Sequence, residues 1–162
     1  MLNIEKPEKK KKPEKDCYQR AGDLLSRRAH FSAELHNKLR QRGFEPDDIE
    51  QTLDRLTEQG YLNDSQTTQL WLEQQLARKP QGGRKLFAGL LRRGVDADLA
   101  QQWVQELVEP EEKKLAQEAA ERWLARSPNG KAAGLARHLE RLGFATHISI
   151  QVVQGAKGRL TA

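Results

Sequence analysis

Cysteine occurs once in this 162-residue chain, at Cys17, and a single thiol can form neither an intrachain disulfide nor a cysteine-cluster metal site. A reducing cytoplasm is the compartment this usage predicts. Aromatic residues make up only 6% of the chain, so a core must rest on Leu, Ile, Val and Ala. Apolar runs are short. None approaches the roughly 18–20 consecutive residues a bilayer span needs, and the lysine tract behind Met1 has no apolar segment that would make it a secretory signal. No membrane role is expected. Long β-branched runs are missing too, apart from Ile148–Val153 near the end. What remains is rich in Leu, Ala, Glu, Gln, Lys and Arg, which favours helix, so the predicted class is all-α.

The chemistry of the common enzyme classes is missing as well. Gly130-Lys131-Ala132 lacks the hydroxyl that a phosphate-binding loop uses to hold magnesium. His30, His36, His138 and His147 form no metal-spaced set and read as surface or boundary residues. Cys17 falls on an apolar helical stripe, where it acts as a small hydrophobe. Acidic residues are scattered without a carboxylate cluster, which leaves a DNA-cleaving enzyme unsupported. No catalytic residue, metal or cofactor is expected. Trp71, Trp103 and Trp123 each sit among apolar neighbours on predicted helices and read as core, Trp71 least clearly because Thr67, Thr68 and Gln75 flank it.

Charge is unevenly spread. Residues 1–15 carry six lysines against three glutamates, a net of +3, which leaves +2 for the rest of a chain whose total is +5. With Pro7 and Pro13 and little to bury, this arm is expected to be disordered. Farther along, Arg78, Lys79, Arg84, Lys85, Arg92 and Arg93 fall between Glu73 and Asp96 with no acid among them.

The most informative pattern is an internal repeat. With Gly43, Gly94 and Gly143 aligned, Leu35 and Leu39, Leu86 and Leu90, and Leu135 and Leu139 occupy the same two positions before each glycine. Phe44, Val95 and Phe144 follow directly, and Leu53, Val104 and Val153 recur ten residues on. Leucines four apart share one helical face, and the glycine stands where a helix ends in a left-handed residue. Arg40 and Arg42, Arg92 and Arg93, and Arg141 suit those helix ends, while Asp47, Asp96 and Thr146 mark the next starts. A preceding helix is predicted in each unit, over about Asp16–Arg28, over about Ser65–Lys79, and from Pro110, Glu111 and Glu112 onward. The prediction is three tandem three-helix repeats of about fifty residues at 16–60, 61–109 and 110–155, with a disordered arm at 1–15 and a tail at 156–162. Units this small bury too little alone, so they should stack into an elongated, curved array.

These residues resemble a known family. Ser32-Ala33-Glu34-Leu35, Lys38-Leu39, Arg42-Gly43-Phe44, Ile49, Leu53, Leu56 and Gly60-Tyr61-Leu62-Asn63-Asp64 are similar to the opening signature of the RecX proteins. Gly83-Arg84, Leu86, Leu90, Gly94-Val95-Asp96 and Leu107 continue the likeness, as do Ala133, Leu139 and Arg141-Leu142-Gly143-Phe144. Asn63 stands where the family usually has the first of two aspartates, and Thr67 where it has an aromatic. Lys79-Pro80-Gln81-Gly82-Gly83 replaces a loop of the Lys-Gly-Tyr-Gly-Pro type.

The resemblance implies a non-catalytic, cytoplasmic modulator of the RecA recombinase in DNA repair and the SOS response. It would bind the RecA nucleoprotein filament and limit its extension, ATP hydrolysis, strand exchange and coprotease activity. Arg78, Lys79, Arg84, Lys85, Arg92 and Arg93 are the expected contact residues, and single- or double-stranded DNA is a further expected partner of a monomeric chain. Of the six, Arg92 and Arg93 also suit a helix C-terminus. Arg84 and Lys85 begin a helix, where positive charge is unfavourable. The alternative is a sequence-nonspecific nucleic-acid binder that acts without RecA.

Overall fold

The computed structural model describes residues 15–161, so the expected lysine-rich arm lies outside the described residues except for Lys15. The described chain contains nine α-helices: α1 (Cys17–Leu25), α2 (Ser32–Gln41), α3 (Pro46–Glu58), α4 (Asp64–Arg78), α5 (Gly83–Leu91), α6 (Ala97–Leu107), α7 (Glu112–Arg126), α8 (Ala132–Arg141) and α9 (Thr146–Gly155). Single 3-10 turns lie at Glu109–Glu111 and Lys157–Arg159. The β-branched stretch Ile148–Val153 is helical, because Ile148, Ser149 and Val152 turn one face to a helical core.

The helices form three groups of three, each around its own core. Leu35, Leu39 and Phe44 lie in the first core, Leu86, Leu90 and Val95 in the second, and Leu135, Leu139 and Phe144 in the third. The residue ten past each glycine is buried only in the middle unit, at Val104, since Leu53 and Val153 are half-buried. The helix ends are also equivalent. The amides of Phe44, Val95 and Phe144 donate to the carbonyls of Leu39, Leu90 and Leu139 at 3.4, 3.2 and 3.3 Å. Gly43, Gly94 and Gly143 have φ of 85°, 77° and 85°. This is the Schellman closure, which needs a residue tolerant of positive φ.

The first helix is shorter than the predicted Asp16–Arg28. Asp16 closes a capping box with Gln19, but the helix ends at Leu25. Residues beyond it turn inward so that Phe31, 3% exposed, enters the core of the second unit.

The units stack through one repeated device. Asp64, the first residue of α4, accepts from the Ser32 amide at 2.7 Å and the Ser32 hydroxyl at 3.0 Å. Glu112, the first residue of α7, accepts from the Gly83 amide at 3.2 Å and, with the same oxygen, from the Ala145 amide at 3.2 Å. Ser32 and Gly83 are the first residues of α2 and α5, so each time an acid of the next unit satisfies amides that a helix start leaves without an intrahelical partner. The glycine turn of the next unit presses on the same helix start. A Cβ on Gly94 would lie 2.4 Å from the Ala33 Cβ, and one on Gly143 would lie 2.4 Å from the Lys85 Cβ and 2.5 Å from its amide nitrogen.

The two joints differ in tightness. Between the second and third units, the Gly82 amide donates to the Leu142 carbonyl at 2.9 Å and the Arg84 amide to Gly143 at 3.2 Å, and Leu115 packs on both cores. Pro80, Gln81, Gly82 and Gly83 are all buried there, so the loop that departs from the family pattern is joint packing. The first joint has no backbone hydrogen bond of this kind among the described residues and is open on one side.

Candidate interaction surface

That open side is a groove of about 970 Å³ between the first and second units. One face of α2, from Ala33 to Gln41, forms one wall, the face of α4 carrying Thr67, Leu70, Trp71, Gln74 and Gln75 forms the floor, and the turn after α5 forms the other wall. Leu70 and Leu91 are 43% and 41% exposed, unusual for leucines in a chain whose other large aliphatics are mostly buried.

The charges of the groove are arranged asymmetrically. On the first-unit wall Glu34 is gripped by Arg28, through both guanidinium nitrogens, and by Lys38 at 3.3 Å. Burial alone would raise the Glu34 pKa, but the hydrogen bonds from Arg28 and Lys38 outweigh it and hold the carboxyl below its ordinary value. His30 sits behind this pair, 3% exposed, with Nδ1 2.9 Å from the Arg28 carbonyl and Nε2 3.0 Å from the Lys38 ammonium. A carbonyl only accepts and an ammonium only donates, so the ring is neutral with its proton on Nδ1. Burial pushes its pKa down; the hydrogen bond with the Arg28 carbonyl opposes this, and the charges of Arg28 and Lys38 add to the lowering. Expected at the surface or at a helix boundary, His30 stands two residues before α2 and is buried, drawn in by the turn toward Phe31.

On the opposite wall, Arg93 lies 4.6 Å from the centroid of the Trp71 ring and donates to the Gly89 carbonyl at 2.9 Å. The helix-end role expected for it is thus present, together with a cation–π contact. A Cβ on Gly89 would approach the Trp71 ring to 2.8 Å, so glycine is what lets the indole lie down on α5. Neither Arg92 nor Arg93 has an acidic partner among the described ion pairs.

The other predicted contact residues lie elsewhere. Arg78 and Lys79 are exposed at the end of α4. Arg84 and Lys85 open α5, about 12 Å along the chain's helical rise from Arg92. The Arg84 guanidinium donates to the Phe144 carbonyl, so its place at a helix start is explained by the joint it closes. Of the six cations, only Arg92 and Arg93 line the groove.

The three tryptophans are half-buried and pack against the edges of the cores, Trp71 and Trp103 on the second and Trp123 on the third; Trp103 donates to the Ser65 hydroxyl at 3.0 Å, and Trp123 lies over Gly130 and Gly134. Arg137 and Arg141 flank Trp123 in a shallower hollow of about 630 Å³. Cys17 is buried, and burial pushes its thiol pKa up, away from nucleophilic use. No group of three or more His, Cys, Asp or Glu residues that could hold a metal occurs among the described residues. No described helix is long and apolar enough to cross a membrane.

Sequence reasoning missed three features here: the Arg93–Trp71 stack, the Glu34 clamp and the carboxylates at the joints. The recurrence of an acid at the head of α4 and of α7 was the available signal for the last of these.

Three stacked three-helix units, joined by the half-buried carboxylate of Asp64 and the buried one of Glu112, with an open basic groove at one joint, define a helical-repeat protein. A family profile described as RecX, first three-helix domain, matches residues 17–56. A regulatory protein RecX of Amycolatopsis mediterranei is 31% identical over 137 residues, 85% of this chain and 75% of that one. Another from Pseudomonas fluorescens is 46% identical over 83 residues, and there the match spans 49% of this chain and about half of the relative, 53%. In fold, the crystal structure of RecX from Lactobacillus salivarius superposes with a TM-score of 0.79 at 19% identity, covering 87% of this chain and 94% of that one. The chain belongs to the RecX family of regulatory proteins.

Proposed function

We propose that this protein binds the RecA nucleoprotein filament and restrains its extension, thereby lowering ATP hydrolysis, strand exchange and coprotease activity. It would act in the cytoplasm as a monomeric, non-catalytic regulator in DNA repair and the SOS response. The observation that carries the reading is family membership across 85% of the chain. The fold supports it in kind, since units stacked in line offer a long surface to an extended partner. The basic residues of the middle unit, Arg78, Lys79, Arg84, Lys85, Arg92 and Arg93, are the proposed contacts, with Arg92 and Arg93 foremost because they alone of the six line the groove. Repeat boundaries near Gly60 and Pro110 follow from the same reading, with each unit a separate contact module.

The test is single-stranded-DNA-dependent ATP hydrolysis by RecA from the same organism, with this protein titrated in. Substoichiometric inhibition is expected, and Arg92→Glu should relieve it. Arg84 is the wrong residue for that comparison, since changing it also opens a joint. If the parent leaves RecA untouched at excess yet binds DNA, the sequence-nonspecific nucleic-acid binder replaces this reading. About five phosphate contacts on a single strand would then give a log–log salt slope near −3.5.

A further inference from the structure

We infer that the groove between the first and second units is a docking site for an acidic peptide segment of a partner protein, one bearing a leucine-sized apolar side chain among its carboxylates. The assignment concerns the chemistry of the groove and does not depend on the RecA reading.

Charge complementarity is the first argument. Four cations line the groove, Arg28, Lys38, Arg92 and Arg93, against one carboxylate, Glu34. Glu34 is already shared by Arg28 and Lys38, which leaves the Arg92 and Arg93 wall without an acid among the described ion pairs. An incoming carboxylate meets a planar guanidinium geometry suited to two parallel hydrogen bonds. The second argument is the pair of exposed leucines. Leu70 on α4 and Leu91 at the end of α5 stand in the same groove, 43% and 41% exposed, an apolar patch that an apolar side chain would cover.

The third argument separates a peptide from a single-stranded nucleic acid. Base recognition on a strand relies on aromatic rings whose faces are free for stacking. The Trp71 ring is engaged by the Arg93 guanidinium at 4.6 Å and presses on Gly89. What the groove offers in place of a free ring is amide side chains: Asn37, Gln41, Gln74 and Gln75, each a donor and an acceptor. Those groups match the alternating donors and acceptors of a peptide main chain.

The experiment uses the full chain, labelled with nitrogen-15, and three probes read by amide and indole NMR shifts. The first probe is a synthetic peptide Glu-Leu-Glu-Glu-Leu-Glu, the second the same peptide with serine for leucine, and the third oligothymidylate. The leucine peptide is expected to shift the amides of Leu70, Leu91 and Arg93 and the Trp71 indole. It should bind about tenfold more tightly than the serine peptide, the worth of partly burying one aliphatic side chain. Arg92→Glu should abolish the binding, and Leu91→Ser, an exposed change that spares the fold, should reduce it to the serine-peptide level. Tighter binding of oligothymidylate in the same groove, equal binding of the two peptides, or shifts confined to other surfaces would overturn the assignment. Parallel RecA ATPase titration keeps the two readings apart. Capture of the peptide without an effect on RecA refutes the regulatory reading alone. Inhibition of RecA by a chain whose groove ignores the peptide refutes the docking site alone.

Discussion

Gly43 and Gly143 are a matched pair supplied by the repeat, because both have φ of 85° and both close a helix with the same hydrogen bonds. Alanine at either position meets the same backbone penalty, about 1–2 kcal/mol for a left-handed residue. They differ in what a methyl group would touch. At Gly43 no heavy atom lies within 4 Å of the new carbon, whereas at Gly143 it would meet the Lys85 Cβ, amide nitrogen and Cα at 2.4, 2.5 and 2.9 Å. Two of those three atoms are backbone at the start of α5, so relief requires the third unit to slide off the second. Such overpacking costs a further 1–3 kcal/mol or so. Gly43→Ala should therefore lower stability by about 1 kcal/mol and Gly143→Ala by about 3 kcal/mol. At roughly 2–4 °C per kcal/mol for a chain of this size, the midpoints should fall by about 2–4 °C and 6–12 °C. Urea and thermal unfolding followed by far-ultraviolet circular dichroism measure both changes. Tryptophan fluorescence offers a second view, since Trp123 lies in the third unit; that unit should melt early in Gly143→Ala, as expected of a stacked array whose nearest-neighbour interface is weakened. Equal losses at the two glycines would refute the idea that the third unit is seated by this contact.

The joint carboxylate gives a second expectation. Glu112→Ala leaves the Gly83 and Ala145 amides without their acceptor in a buried joint, which should cost about 2–4 kcal/mol, while Glu112→Gln keeps one accepting oxygen and should lose less. Chemical denaturation measures the loss, and faster hydrogen exchange at those two amides locates it. A third concerns pH. The pKa values of His30 and His138 are depressed in the folded chain, chiefly by burial, so the unfolded chain binds protons first as pH falls. Their contribution to stability is complete above the ordinary histidine pKa of about 6.5 and is lost as pH falls through the lower folded values. Unfolding midpoints measured between neutral pH and pH 5 should decline, and less steeply in His30→Asn; an unchanged slope in that variant would remove His30 from the account.

Much of this fold was legible before any coordinates. Leucines four apart, a glycine four residues later and an apolar residue behind it encode a helix, its Schellman end and a fold-back, all of which depend on near neighbours in the chain. The register of the repeat therefore predicted the leucine pairs and the residue after each glycine as core, while of the residues ten past the glycines only Val104 is buried. The groove was only half legible. Arg92 and Arg93 were found by their lack of acidic neighbours, but a run of like charge says nothing of direction, and α5 carries Arg84 and Lys85 to one joint while Arg92 and Arg93 face the other. The burial of His30, at the boundary before α2, follows from Phe31 entering another unit's core, which no local pattern records.

What the sequence determined by itself is the helical class, the threefold repeat and the cores, since each follows from spacing within about a dozen residues. The tertiary structure alone decided how the units meet. The contacts of Asp64 with Ser32, of Glu112 with Gly83 and Ala145, and of Gly143 with Lys85 join residues some 30 to 60 positions apart, and no local period records them. The same long-range geometry sealed the second joint around Gln81 and Gly82 and left the first open beside Trp71, which is why the candidate surface lies where it does.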